Sequence, residues 1–194
     1  MRCVFNKNAL TLTELLAATI VTGIVMIGVA SMDISLRNAF EGTSRGSITA
    51  SRVSTIMHHI SRHILEACGN HADPGVIVDA SNKRLRIRTD TTPWNTTDGA
   101  QWYIYKFNSG QNTLTYCATS DSSSVTCQGS EQEFKNIVSF EPSPIFDDPN
   151  NYIFSVRVTI ASRYNTASAA DDLKNPEYTL ISTFNLPNSS GNAP

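Results

Sequence analysis

The residue best placed to do chemistry in this 194-residue chain is a carboxylate at the edge of an apolar segment. Glu14 directly precedes Leu15–Met32, a run of about 18 residues without a charged side chain, which is just long enough to span a bilayer as a helix. A carboxylate costs roughly 2–3 kcal/mol or more inside lipid, so a glutamate at this position calls for a partner. The chemistry that it offers is pairing with a cation where water is excluded.

Two histidines at helical spacing are the next candidates. His59 and His63 stand four residues apart, a spacing at which two side chains on one helix face can share a metal ion. The glutamate of an HExxH motif is missing, because residues 60–62 are Ile-Ser-Arg. We therefore expect a solvated polar face and no metal site. The paired aspartates at 147–148 and 171–172 lack the spacing of a calcium loop, and we expect them in solvated turns.

Three arginines alternate along one predicted strand. Arg84, Arg86 and Arg88 should project from one face of this strand, with Leu85 and Ile87 on the other face. We favour a solvent-facing strand whose arginines meet acidic groups on a neighbouring strand or subunit. Contact with DNA, helped by nearby aromatic side chains, is the less favoured alternative.

Composition narrows the classes of function. Charged residues make up 16% of the chain, below the ~25% of typical soluble domains. The net charge of −2 lacks the basic excess that most nucleic-acid-binding domains carry. No phosphate-binding glycine loop and no nucleophile elbow occur in the sequence. We therefore predict a protein that is not an enzyme and that holds no cofactor.

Two kinds of element must position these residues. Residues 33–69 are predicted to form an amphipathic helix, because apolar side chains recur at helical spacing at Val53, Ile56, Met57, Ile60 and Ile64. Strands are predicted at 75–79, 84–89, 101–107, 113–118, 137–141, 152–162 and 178–186. One helix followed by a series of strands predicts an α+β fold, in which a long N-terminal helix packs on an antiparallel β-sheet head.

A short motif precedes the apolar run. Residues 8–16 read NALTLTELL, which places a small residue, a large apolar residue and a glutamate at fixed offsets. This pattern resembles the processing site of type IV prepilins and type II secretion pseudopilins. The resemblance implies cleavage after Ala9, a mature N-terminus at Leu10 that is then N-methylated, and Glu14 as the fifth mature residue. Ala9 stands where the family usually has Gly, and Leu10 stands where it usually has Phe.

The resemblance also implies an organisation and a place in the cell. It gives a leader peptide over residues 1–9, a transmembrane and filament-core helix over 10–32, an amphipathic helix over 33–69 and a β-rich head over 70–194. Basic residues precede the apolar run, and the first charge after it is acidic. The positive-inside rule therefore predicts a single-pass protein of the inner or cytoplasmic membrane, with its N-terminus in the cytoplasm.

The predicted function is that of a minor pilin or pseudopilin, most similar to the J-type subunits. The implied partners are other subunits of the filament, prepilin peptidase, the inner-membrane assembly platform and membrane lipid. In a bundle of parallel helices, Glu14 of one subunit could neutralise the terminal amine of its neighbour. The alternative is a membrane-anchored extracytoplasmic module that binds DNA, a surface or a secreted substrate and does not polymerise.

The cysteines add one covalent prediction. Cys117 and Cys127 flank a short Ser-rich loop in the part of the chain predicted to lie outside the membrane, so we expect a disulfide between them. Two free thiols are the alternative. Cys68 is expected to remain unpaired near the end of the helix, and Cys3 lies in the implied leader.

Overall fold

The computed structural model describes residues 11–69, 74–90, 100–120, 131–147, 152–171 and 174–186. Its first element is a single long helix, α1 (Leu12–Leu65). The chain divides into two compact units, Met1–Glu41 and Gly42–Pro194, and α1 contributes residues to both. The segment around Gly42 and Gly46 is part of this helix.

Within the second unit, α1 buries one face. The buried apolar side chains of this helix are the five expected from the sequence, namely Val53, Ile56, Met57, Ile60 and Ile64. Thr49 is buried as well, and its hydroxyl donates to the carbonyl of Arg45 four residues earlier. The helical period of the apolar residues therefore predicts the packed face correctly.

Five strands form the first sheet in the order β1-β2-β3-β4-β5, with every pair antiparallel. Their bounds are β1 (Val76–Asp79), β2 (Arg84–Asp90), β3 (Ala100–Asn108), β4 (Thr113–Thr119) and β5 (Gln132–Lys135). The register sets Leu85 opposite Tyr105 and Ile87 opposite Tyr103. Side chains of directly opposed residues share a sheet face, so these four lie on one face and the arginines of β2 lie on the other.

Three strands form a second, antiparallel sheet in the order β6-β7-β8. Their bounds are β6 (Ile137–Asp147), β7 (Tyr152–Arg163) and β8 (Glu177–Asn185). Only Asn136 separates β5 from β6, so the chain passes from one sheet to the other at this residue. Asn136 has a φ of 64°, a left-handed conformation that asparagine tolerates better than most residues. Its side-chain amide nitrogen donates to the carbonyl of Tyr164 and holds the crossing in place.

One hydrophobic core joins the helix to both sheets. It combines the buried face of α1 with Leu85, Ile87 and Tyr105 of the first sheet, and with Phe140, Val158 and other apolar residues of the second. The predicted α+β class is confirmed, with a long helix packed against antiparallel strands. The single predicted sheet is in fact two sheets, and β5 was not among the predicted strands.

The end of α1 is tied to the first sheet through the backbone. The Cys68 amide donates to the carbonyl of Arg88 at 2.9 Å, and the Arg88 amide donates to the carbonyl of Gly75 at 2.7 Å. A Cβ atom at Gly75 would lie 2.5 Å from the Cys68 carbonyl oxygen, so only glycine fits between these backbone segments.

Candidate functional site

Glu14 takes part in the cap of α1. The Thr11 amide donates to Glu14 Oε2 at 2.9 Å, and the Thr11 hydroxyl donates to the same oxygen at 2.8 Å. The Glu14 amide lies 3.4 Å from Thr11 Oγ1, which completes a capping box of the form Thr-x-x-Glu. The carboxylate therefore satisfies the otherwise unpaired backbone donor of Thr11, and it sits where the helix dipole favours negative charge.

The apolar run after Glu14 buries none of its side chains within the chain. Its large side chains, from Leu15 to Met32, are 55–72% exposed. A Cβ atom added at Gly23 or Gly28 would meet no atom within 4 Å, so neither glycine serves an intramolecular contact. This helix is long and apolar enough to cross a membrane. An apolar surface of this extent needs lipid or other helices to cover it.

Hydroxyl groups in this segment are satisfied locally. Thr22 donates to the carbonyl of Ala18, and Thr19 donates to the carbonyl of Leu16. Ser31 donates likewise to the carbonyl of Gly28. Each hydroxyl thus donates its hydrogen bond to the helix backbone, and this bond lowers the free-energy cost of placing the hydroxyl in an apolar environment.

The structure describes only part of the processing motif. Ala9 and Leu10 lie outside the described residues, so cleavage after Ala9 stays a prediction. Cys127 also lies outside them. Cys117 is buried on β4 and is disulfide-bonded, and Cys68 carries a free thiol. The pairing of Cys117 with Cys127 stays a prediction.

The three arginines of β2 share one sheet face, as the alternation predicted, but they do not form a solvent-facing row. Arg88 is buried, and the guanidinium of Arg86 lies 5.1 Å from the ring centre of the buried Trp102. The Arg84 Nε atom is buried and has no hydrogen-bond partner among the described residues. Arg84 and Arg86 are partly exposed, so contact of this face with a ligand stays a prediction for these two residues.

The histidines, in contrast, form a buried cluster where α1 meets the first sheet. The Tyr105 hydroxyl lies 2.6 Å from His63 Nδ1 and 2.8 Å from His59 Nδ1. A hydroxyl carries one proton, so it can donate to at most one of the two rings, and at least one imidazole must carry a proton on Nδ1 and donate it to the tyrosine oxygen. The His63 ring stacks on Tyr103 with 3.9 Å between ring centres.

The expectation of a solvated polar face is therefore wrong for His63. Burial and, to a smaller extent, the nearby His59 together lower the pKa of His63 to about 4. Burial also lowers the pKa of His59 and raises the pKa of Tyr105. His63 follows Ile56 and Ile60 at helical spacing, and this signal places it on the buried face. No group of three metal-ligating side chains occurs among the residues that the structure describes.

The aspartate pairs are divided between described and undescribed positions. Asp147 is the last residue of β6, and Asp171 forms an isolated bridge with Asn175. Asp148 and Asp172 lie outside the described residues. The predicted role of these pairs as solvated turns is therefore not decided by the fold.

Comparison with models of protein families, with curated proteins and with solved structures gives no match to this chain.

Proposed function

We propose that this chain is a minor pilin or pseudopilin, a membrane-inserted precursor that prepilin peptidase cuts after Ala9 and that then joins a type IV pilus-like or type II secretion filament. One observation carries the proposal: a motif with a small residue, an apolar residue and Glu14 stands directly before an apolar helix whose large side chains, from Leu15 to Met32, are exposed in the described part of the chain.

The exposure of the helix supports assembly with other helices. Side chains on every side of the apolar run are exposed. Such a helix is stable either in lipid or in a bundle of similar helices, because both remove its apolar surface from water. The core of a filament is such a bundle of helices. The apolar surface of the helix therefore stays covered when the subunit moves from the lipid into the filament.

Glu14 is proposed to set the register between subunits. Cleavage after Ala9 would remove Arg2 and Lys7 and create a positive amine on Leu10. A buried carboxylate and a buried amine each cost free energy alone, and pairing them across subunits reduces that cost. The pair would fix the axial position of one helix against the next.

The N-terminus of the mature protein tests the proposal. The protein would be recovered from membranes of cells with and without prepilin peptidase, and its intact mass and N-terminal sequence would be determined. We expect a chain that begins at Leu10 in the first case and at Met1 in the second. Ala9→Leu should block the cut because the residue before it must be small, and Ala9→Gly should preserve it.

Two outcomes would contradict the proposal. A chain that begins at Met1 in both strains is a signal-anchored protein. A chain cut near Ala30, independently of the peptidase, is a secreted β-rich domain without a filament helix.

A further inference from the structure

The four outer edges of the two sheets are not equally protected against pairing. The first sheet ends in β1 and β5, which are only four residues long, and β5 carries Glu133 and Lys135. Short edge strands and charged edge residues both discourage the addition of a further strand. The second sheet ends in β6 and β8, which are 11 and nine residues long.

Hydrogen bonds beside the second sheet show which backbone groups point outward. The Arg163 amide donates to Asn136 on the β6 side, and the Tyr164 amide donates to Pro176 on the β8 side. Backbone groups alternate in direction along a strand, so even-numbered residues of β7 bond to β8 and odd-numbered ones bond to β6. The register pairs Val158 with Pro142 and Val156 with Pro144. Both prolines therefore face the free edge of β6, where the missing N–H blocks a further strand.

The edge of β8 carries only one of these devices, a single charged residue at its first position, Glu177. The backbone N–H and C=O groups of its even-numbered residues are hydrogen-bonded to β7. The backbone groups of the odd-numbered residues Thr179, Ile181 and Thr183 therefore point away from the sheet. No described strand pairs with them. The strand contains no proline, lysine or arginine. Its central residue, Ile181, is 61% exposed on the face turned away from the core.

We propose that β8 is a pairing edge for β8 of a second copy of this chain, with the two strands antiparallel and the two-fold axis at Ile181. In this register Ile181 lies opposite its own counterpart, and Thr179 lies opposite Thr183. The one charged residue of the strand, Glu177, lies opposite Asn185, so no like charges meet. Every outward backbone group then gains a partner, and the two three-stranded sheets become one. The inference does not rest on the proposed function.

Cysteine cross-linking in the full-length protein, in detergent or in membranes, tests the pairing. Residues opposed at a hydrogen-bonded position have Cα atoms about 5.5 Å apart, which suits a disulfide. Ile181→Cys should therefore give a disulfide-linked dimer under mild oxidation. Thr183→Cys alone should not, because its two copies would lie about 13 Å apart along the strands. A mixture of Thr179→Cys and Thr183→Cys chains should cross-link. The unmodified chain gives the background from Cys68 and Cys3.

A second measurement excludes chance collision. Ile181→Lys places two ammonium groups opposite each other, and we expect the dimer dissociation constant to rise at least ~tenfold in sedimentation experiments. Ser143→Lys, a change at an exposed position on β6, should leave it unchanged. Three results would overturn the inference: no cross-link at Ile181→Cys, equal cross-linking at all three positions, or a photoreactive group at Ile181 that captures a different protein instead of this chain. None of these results would bear on cleavage after Ala9.

Discussion

Glu14 has a partner within its own chain, and this changes how its role should be tested. The capping box with Thr11 explains a glutamate at this position without any second subunit. Pairing with a neighbouring amine requires the negative charge, whereas a capping box works with glutamine as well. Charge and capping can therefore be separated by substitution.

We predict that Glu14→Gln leaves membrane insertion intact and lowers incorporation into filaments, because it keeps the cap but removes the charge. Thr11→Val is the matched control, since it removes the capping hydroxyl, at a cost of about 1 kcal/mol in helix stability, and keeps the carboxylate. The measurement is the fraction of each variant in sheared filaments relative to the membrane fraction. Normal incorporation of Glu14→Gln together with loss for Thr11→Val would assign Glu14 a capping role alone.

His63 makes the stability of the head depend on pH. Its pKa is about 4 in the folded protein and about 6.5 in an unfolded chain. The unfolded state thus binds a proton that the folded state excludes, so the contribution of His63 to stability is constant above about pH 6.5 and falls as the pH drops toward 4. The facing groups that share this environment are His59, Arg62, Glu66 and the three tyrosines at 103, 105 and 116.

We therefore expect the melting temperature of the full chain in detergent to fall between pH 7 and pH 4.5, and to fall less in His63→Leu than in the unmodified protein. The exposed His58→Leu should keep the full pH dependence. Circular dichroism at each pH gives the melting temperatures. An identical pH dependence in His63→Leu and the unmodified chain would contradict a buried neutral imidazole.

At the scale of elements, the sequence predicts the helix and the strands in which apolar residues recur at a regular spacing. The packed face of α1, both strands of the β1–β2 and β3–β4 hairpins, and the two long strands β7 and β8 follow from alternation and turn residues. Strand β5 was missed because Phe134 is its only apolar residue. The predicted strand at 137–141 is shorter than β6, because Pro142 and Pro144 are unfavourable inside a sheet. They are tolerated in β6 because it is an edge strand and the backbone of both prolines faces its free side.

The candidate site was predictable in part for a related reason. Glu14 is visible because a charge at the start of an apolar run is rare. The pattern Thr-x-x-Glu that caps the helix is also in the sequence, at Thr11 and Glu14, and it predicts the start of α1. The buried cluster around Tyr105 could not be predicted from α1 alone, since it forms only when β3 and β4 bring their tyrosines to the helix.

Gly75 is an element-scale test of how the helix end joins the first sheet. Gly75→Ala should destabilise the protein by about 1–3 kcal/mol, because the new Cβ would collide with the Cys68 backbone, which cannot move without breaking its bond to Arg88. Gly110→Ala meets only the Asn108 side chain at 3.5 Å and should cost little. Gly46→Ala meets nothing within 4 Å and should stabilise α1 by about 0.5–1 kcal/mol. Chemical denaturation gives all three values, and a Gly75→Ala cost no larger than that of Gly110→Ala would contradict this contact.

At the scale of the whole molecule, the two units differ in where their apolar side chains lie. Every buried apolar residue of α1 lies beyond Gly42, and none of the core comes from residues 11–41. The head therefore has its own core, while the first unit offers an apolar surface that only lipid or another helix can cover.

This division predicts that a chain beginning at Gly42 folds without the apolar helix. It should unfold cooperatively and stay in solution without detergent, because the truncation removes exposed apolar surface and no core residue. A chain beginning at Ile56 is the matched control, since it also loses Thr49 and Val53, and it should melt at a lower temperature or fail to fold. Thermal unfolding followed by circular dichroism compares the two. If the chain from Gly42 unfolds without cooperativity, as a molten globule does, the core extends into the first unit and the division is wrong.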